Sequence, residues 1–123
     1  QVLIVDTGSQ MMSFPCSPCR NCGEHASDFF DPRFSHTGKE ISCKNGCQLG
    51  GKCSSRFNKC VFGQEYAEGS SWLAYEQRDL VWLGSEDHEE SYDEHMDLAI
   101  PFVFGCQYSE TGLFQDQYAD GIM

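Results

Sequence analysis

Residues 1–9, Gln1-Val2-Leu3-Ile4-Val5-Asp6-Thr7-Gly8-Ser9, decide how this chain is read. An apolar, β-branched run breaks at an acid followed by two small hydroxyl residues and a glycine, which reads as a buried strand ending in a turn. An ionisable group at the end of such a strand loses hydration unless its neighbours hydrogen-bond it. Thr7, Gly8 and Ser9 can do that. Gly8 permits a sharp turn and a close backbone approach, and the Ser9 hydroxyl can donate to the Asp6 carboxylate and keep it ionised. Taken alone, the tetrapeptide also fits an ordinary Asx-type turn, so its surroundings carry the weight.

Outward from that turn, every periodic segment is strand-like. Lys59–Tyr66 and Trp72–Leu83 carry aromatic and β-branched residues on either side of Ala67-Glu68-Gly69-Ser70, predicting a β-hairpin with a glycine turn over residues 59–83. Leu98–Gln107 predicts a further strand, and Ala119-Asp120-Gly121-Ile122-Met123 begins an apolar stretch. Residues 13–60 are rich in Cys, Gly, Ser, Asn and Pro without a sustained period. They read as an irregular, cross-linked insert with at most a short strand near Glu40–Cys43. Between 84 and 97 stand Glu86, Asp87, Glu89, Glu90, Asp93, Glu94 and Asp97, whose mutual repulsion predicts an exposed acidic loop. There is no internal repeat. The fold class is mostly β, in one domain or less.

Composition narrows the function. The 123 residues carry a formal net charge of −11, so a nucleic-acid partner is excluded for want of the Lys and Arg that displace counterions. An anionic membrane surface is disfavoured for the same reason. No run approaches the roughly 20 apolar residues of a spanning helix, and Gln1–Val5 lacks the charged start of a signal peptide. At 40% hydrophobic residues the chain can build a core. Eight cysteines, Cys16, Cys19, Cys22, Cys43, Cys47, Cys53, Cys60 and Cys106, are an even number at the density of a disulfide-stapled secreted domain. A zinc site built on Cys16, Cys19, Cys22 and His25 is the competing reading, although its spacing is tight and the usual distant second pair is missing.

VLIVDTGSQ, the hairpin EYAEGSSWLAY, and FVFGC, TGLF and ADGIM occur in the order found in the amino-terminal lobe of pepsin-like aspartic endopeptidases. The chain resembles that family almost end to end. The insert SFPCSPCRNCGEHASDFFDPRFSHT with its downstream cysteines is similar to the nepenthesin-type subgroup, and SFPC directly after the turn is similar to plasmepsin V-like enzymes.

The resemblance implies a pepsin-like acid protease fold, here a single incomplete amino-terminal lobe over residues 1–123 with a disulfide-rich insert and a β-hairpin flap. Asp6 would be one of two catalytic aspartates, Thr7 part of a hydrogen-bonded grip between lobes, and Ser9 a donor to Asp6. Tyr66 would be the flap tyrosine, with Glu68, Gly69 and Ser70 at the flap tip. Phe14, Phe104, Leu113 and Phe114 would line or support the cleft, or simply belong to the core, and Met11 and Met12 would pack. The implied bridges are Cys16 with Cys19, Cys22 with Cys106, Cys43 with Cys60, and Cys47 with Cys53. No cofactor or metal is implied. The partners would be an extended peptide or protein substrate and a carboxy-terminal lobe, since no second D-T-G or D-S-G turn occurs in the sequence. The setting would be the secretory pathway, with no direct membrane contact from this segment. Where pepsins and nepenthesins usually carry a Trp that bonds the flap tyrosine, this chain has Ser13. Glu68 is either a solvated turn residue or a carboxylate facing the cleft, able to pair with a substrate Arg or Lys. His25, His36, His88 and His95 read as surface or structural residues. Two other functions compete: a catalytically silent binding or inhibitor module of the same fold, and a single-lobe protease that dimerises so that two copies of Asp6 meet.

Overall fold

The computed structural model describes residues 1–84 and 97–123; the expected acidic loop, with His88 and His95, falls almost wholly outside them. Eight strands are present among the described residues: β1 Leu3–Ile4, β2 Ser13–Arg20, β3 Lys39–Glu40, β4 Lys52–Ser54, β5 Lys59–Glu65, β6 Ser71–Val81, β7 Ile100–Thr111 and β8 Gly121–Ile122. They form one sheet in the order β1-β8-β2-β7-β6-β5-β4, with β3 pairing β6. The pairs β1·β8 and β2·β7 are parallel, while β5·β6 and β6·β7 are antiparallel. The expected hairpin is therefore the β5–β6 pair, with Glu65 opposite Ser71 at its closed end. β7 runs from Ile100 to Thr111, beginning later and ending later than the expected strand.

Two expectations from composition do not hold. QVLIV is not a buried strand: β1 is two residues long, and Val2, Ile4 and Val5 are 54%, 43% and 75% exposed. Its place at the end of the sheet order leaves it one neighbour, β8, so continuous hydrophobicity does not bury it here. The reverse holds for the cysteine-rich insert, whose first eight residues, SFPCSPCR, make β2 between β8 and β7. Pro15 and Pro18 hide that strand from a propensity reading, because proline cannot donate to a ladder. The chain accommodates them with a register shift against β7 between Pro15 and Arg20.

Two small cores lie on the sheet. In the first, Phe14 stacks on Phe104 with ring centroids 4.7 Å apart, and Phe30 meets both edge-on at 5.9 and 5.8 Å. Met12, Cys16 and Cys106 complete it. Each fully buried Phe contributes roughly 1.5–3 kcal/mol, so Phe14 and Phe104 dominate the cluster and the partly buried Phe30 adds less. In the second, Trp72, Ala74 and Phe114 are buried, with Phe62 and Tyr66 packed against them. At the closest approach of β8 to β2, a Cβ on Gly121 would meet Phe14 Cβ at 2.7 Å and collide with the Ser13 carbonyl, so only glycine fits.

All eight cysteines are bridged, but not in the pairs that the resemblance implies: Cys16–Cys106, Cys19–Cys22, Cys43–Cys53 and Cys47–Cys60. Cys16 and Cys19 both lie on extended β2, where three residues span roughly 10 Å at the usual rise, beyond the reach of a disulfide. Cys16 instead meets β7, whose Cys106 is aligned with Phe14. Cys53 and Cys60 are directly opposed on β4 and β5. Each turns to a cysteine of the 43–47 segment, with Cα–Cα distances of 5.2 and 5.4 Å. The same segment is anchored a second way, since the buried Glu76 carboxylate accepts from the backbone N–H groups of Gln48, Leu49 and Gly51 at 2.6, 2.9 and 3.2 Å.

Candidate active site

Asp6 sits where β1 runs out beside β8. Its backbone N–H donates to the Met123 carbonyl at 2.8 Å, and the Met123 N–H donates back to Ile4 at 2.8 Å, so the parallel ladder fixes where the turn begins. The chain then folds over itself. The Gly8 N–H donates to Asp6 Oδ1 and the Ser9 hydroxyl to Asp6 Oδ2, both at 2.8 Å, while the Ser9 N–H donates to the Asp6 carbonyl at 3.0 Å. These donors favour the charged form; the Gly8 N–H first and the Ser9 hydroxyl second hold the Asp6 carboxyl below its ordinary range. Thr7 is exposed at the turn.

The hairpin reaches the same place from the other side. Its turn is closed by Gly69 N–H to the Tyr66 carbonyl and Tyr66 N–H to the Ser70 carbonyl, each at 2.9 Å, with Gly69 at φ 96°, a conformation that disfavours any side chain. The Tyr66 ring rests on Phe114, 5.2 Å between centroids, and its hydroxyl lies 3.0 Å from Ser9 Oγ. Asp6, Ser9 and Tyr66 thus form one continuous hydrogen-bonded chain. Glu68 is exposed at the tip. Ser70 is not: it is buried, and its hydroxyl accepts from the Leu113 N–H at 2.9 Å, tying the hairpin to the short helix Leu113–Asp116. Ser13 is also fully buried, and its hydroxyl accepts from Gln107 Nε2 at 2.7 Å.

Of the other candidates, Met12, Phe14 and Phe104 belong to the first core and Phe114 to the second, whereas Leu113 is exposed. Zinc on the first cysteine cluster is overturned, because Cys16, Cys19 and Cys22 are all in disulfides and both ring nitrogens of His25 are engaged. Sequence reading missed the Ser13–Gln107, Ser70–Leu113 and His25–Glu110 contacts. Each joins residues 43 to 94 positions apart with no local motif between them.

A D-T-G-S turn held by a parallel strand pair and met by a hairpin tyrosine is the arrangement of the amino-terminal lobe of pepsin-like aspartic proteases. The family described as "Xylanase inhibitor N-terminal" matches residues 1–123, and the chain belongs to it. It is 35% identical over 122 residues to plasmepsin V of Plasmodium falciparum, covering 98% of this chain and 19% of that protein. It is also 35% identical over 133 residues to aspartic protease 5 of Toxoplasma gondii, covering 98% of this chain and 13% of the relative. Aspartic proteinase nepenthesin-1 of Nepenthes gracilis is 25% identical over 114 residues, covering 91% of this chain and 23% of the relative. The chain therefore spans at most about a quarter of the length of these three relatives.

Proposed function

We propose that this chain is the amino-terminal lobe of an aspartic endopeptidase, that Asp6 is one of its two catalytic carboxylates, and that the second comes from a partner lobe. The observation that carries the reading is the double donation to Asp6 from Gly8 and Ser9, with Tyr66 joined to it through Ser9. Peptide hydrolysis needs one carboxylate that is ionised and one that is protonated. The ionised carboxylate takes a proton from water as the water oxygen attacks the scissile carbonyl carbon. The protonated one hydrogen-bonds the carbonyl oxygen as negative charge develops there. Proton return to the amide nitrogen then lets the C–N bond break. Two carboxylates a few ångströms apart share one proton and titrate as a pair, aspartic proteases being the standard case for that coupling. Donors that stabilise charge on Asp6 support its part in the ionised form of that pair.

An extended peptide would lie between the Asp6 turn and the 66–70 hairpin, with Tyr66, Glu68 and Gly69 closest to it and Ser70 fixing the hairpin from behind. Four disulfides support folding in the oxidising secretory pathway. The description of the matching family names an inhibitor, which keeps the silent binding module as the second reading; the complete Asp6-Thr7-Gly8-Ser9 turn weighs against it. The test is Asp6→Asn in the intact protein that carries this chain. Peptide hydrolysis should fall by about 10²–10⁴-fold, the usual contribution of a general base, while binding of an extended-peptide inhibitor persists. Unchanged hydrolysis would remove Asp6 from the mechanism, and absence of hydrolysis in the unaltered protein would favour the binding module.

A further inference from the structure

Away from the Asp6 turn, two titratable side chains are sealed together. His25, on the loop after the Cys19–Cys22 bridge, and Glu110, near the end of β7, both have fully buried side chains, with His25 Nε2 3.2 Å from Glu110 Oε2. The other ring nitrogen, Nδ1, is 3.0 Å from the Ala119 carbonyl. A carbonyl only accepts, so Nδ1 carries a proton, and the tautomer follows. Nε2 and Oε2 then hold a single proton between them. Glu110 Oε1 is buried without a hydrogen-bond partner. An unpartnered oxygen costs less on a neutral carboxylic acid than on a carboxylate, which puts the proton on Oε2, donating to a neutral imidazole.

We propose that His25 and Glu110 are a proton-sharing latch that fastens the 23–29 loop to β7 and the 118–120 segment in acid and loosens it as the proton is lost. Once the proton leaves, a carboxylate faces the Nε2 lone pair at hydrogen-bond distance between two buried side chains, and the contact turns repulsive. The other groups held by this contact are the loop's own anchors: the Ala26 N–H to the Tyr118 carbonyl and the Ser27 N–H to Asp120 Oδ1, both 2.8 Å.

The remaining titratable groups on the elements around the pair do not replace that proton. Arg20 at the end of β2, Glu24 and Asp28 on the loop, Asp116 on the short helix and Tyr118 are exposed, and Asp120 is engaged by the Val2 and Ser27 N–H groups. On β6, Trp72 and Ser71 stand opposite Glu110 and Thr111, and neither ionises. Burial raises the Glu110 carboxyl above its ordinary value of 4.5, and this outweighs the opposing pull of His25 and of the Gly23 backbone N–H. A carboxyl raised in the folded state stabilises that state fully below its unfolded value and loses that contribution as pH climbs through the folded value. The latch is therefore closed in acid and opens upward in pH.

Hydrogen–deuterium exchange of the intact protein, with rates corrected for intrinsic pH dependence, tests this. Protection of the Ala26 and Ser27 amides should fall by about tenfold or more between about pH 5 and about pH 8.5. In Glu110→Gln the amide donates to Nε2 without titrating, so protection should stay level over that range. Equal protection at both pH values in the unaltered protein, or an unchanged pH dependence in Glu110→Gln, overturns the latch. Should Glu110→Gln fail to fold, nitrogen NMR of His25 in the unaltered protein decides. A stable Nδ1–H tautomer whose Nε2 shift moves together with the Ala26 and Ser27 amides supports the latch, and a ring titrating like a solvated imidazole refutes it.

Discussion

At Asp6 the two carboxylate oxygens are served by different donors, one from the backbone of Gly8 and one from the Ser9 hydroxyl, and that division separates their effects. Gly8 N–H belongs to the turn and is present whenever the turn is formed. Ser9 Oγ gives its single proton to Asp6 and so accepts from the Tyr66 hydroxyl, which couples its donation to the hairpin. Ser9→Ala removes one of the two hydrogen bonds that hold the Asp6 carboxyl low. The Asp6 carboxyl then moves back toward its ordinary value, and the ionised form requires a higher pH. In the intact enzyme the acidic limb of the kcat/KM profile should shift upward while the alkaline limb stays in place. An acidic limb unmoved by Ser9→Ala would mean that Asp6 is not the group titrating there. Tyr66→Phe makes the internal comparison, since it keeps the ring on Phe114 and deletes only the hydroxyl that approaches Ser9.

Among the elements, the β5–β6 hairpin was fully legible in the sequence and β2 was not. Aromatic and β-branched residues on either side of Ala67–Ser70 predict the hairpin, and from Trp72 to Glu76 the burial of β6 follows the period of a half-buried strand, with Trp72, Ala74 and Glu76 buried and Leu73 exposed, until buried Gln77 breaks it. In β2, two prolines and two cysteines mask an eight-residue strand whose burial is set by partners nearly a hundred residues away. The Asp6 turn was legible because all its donors are local; Ser70, Gln107 and Glu110 were not, because their partners come from other strands. The hairpin tip combines both cases. Gly69 is demanded by its φ of 96°, whereas nothing in the turn demands an acid at exposed Glu68. If Glu68 meets substrate, it is a specificity residue for basic side chains. Glu68→Gln should then cut kcat/KM on peptides with Arg or Lys near the cleaved bond by about tenfold or more, the loss of one charge-assisted hydrogen bond of ~1.5–3 kcal/mol. Apolar peptides should change little, and equal losses on both classes would make Glu68 an ordinary solvated turn residue.

For the molecule as a whole, the sheet is cross-linked by four bridges of very different span, and the longest lies inside the first core. Cys16–Cys106 crosses from β2 to β7 inside the first core and closes a separation of 90 residues, against 3 for Cys19–Cys22, 10 for Cys43–Cys53 and 13 for Cys47–Cys60. If a bridge acts by removing chain entropy from the unfolded state, its effect grows with the logarithm of the loop: about 4.6 kcal/mol for the longest and about 2.7 for Cys43–Cys53. Against a total stability of about 5–15 kcal/mol for a typical domain, the longest bridge then decides whether the sheet persists. The check is urea unfolding of two double-alanine variants of the intact protein, one at Cys16 and Cys106 and one at Cys43 and Cys53. The first should lower the midpoint considerably more than the second, with the remaining bridges intact in both. Equal losses would mean that the bridges act through local packing, where Cys43 lies against the Lys59 carbonyl and Cys16 among the aromatic rings. In that case the separation of 90 residues would matter little, and β2 and β7 would be held together in the first core by Phe14, Phe30 and Phe104 rather than by the covalent link.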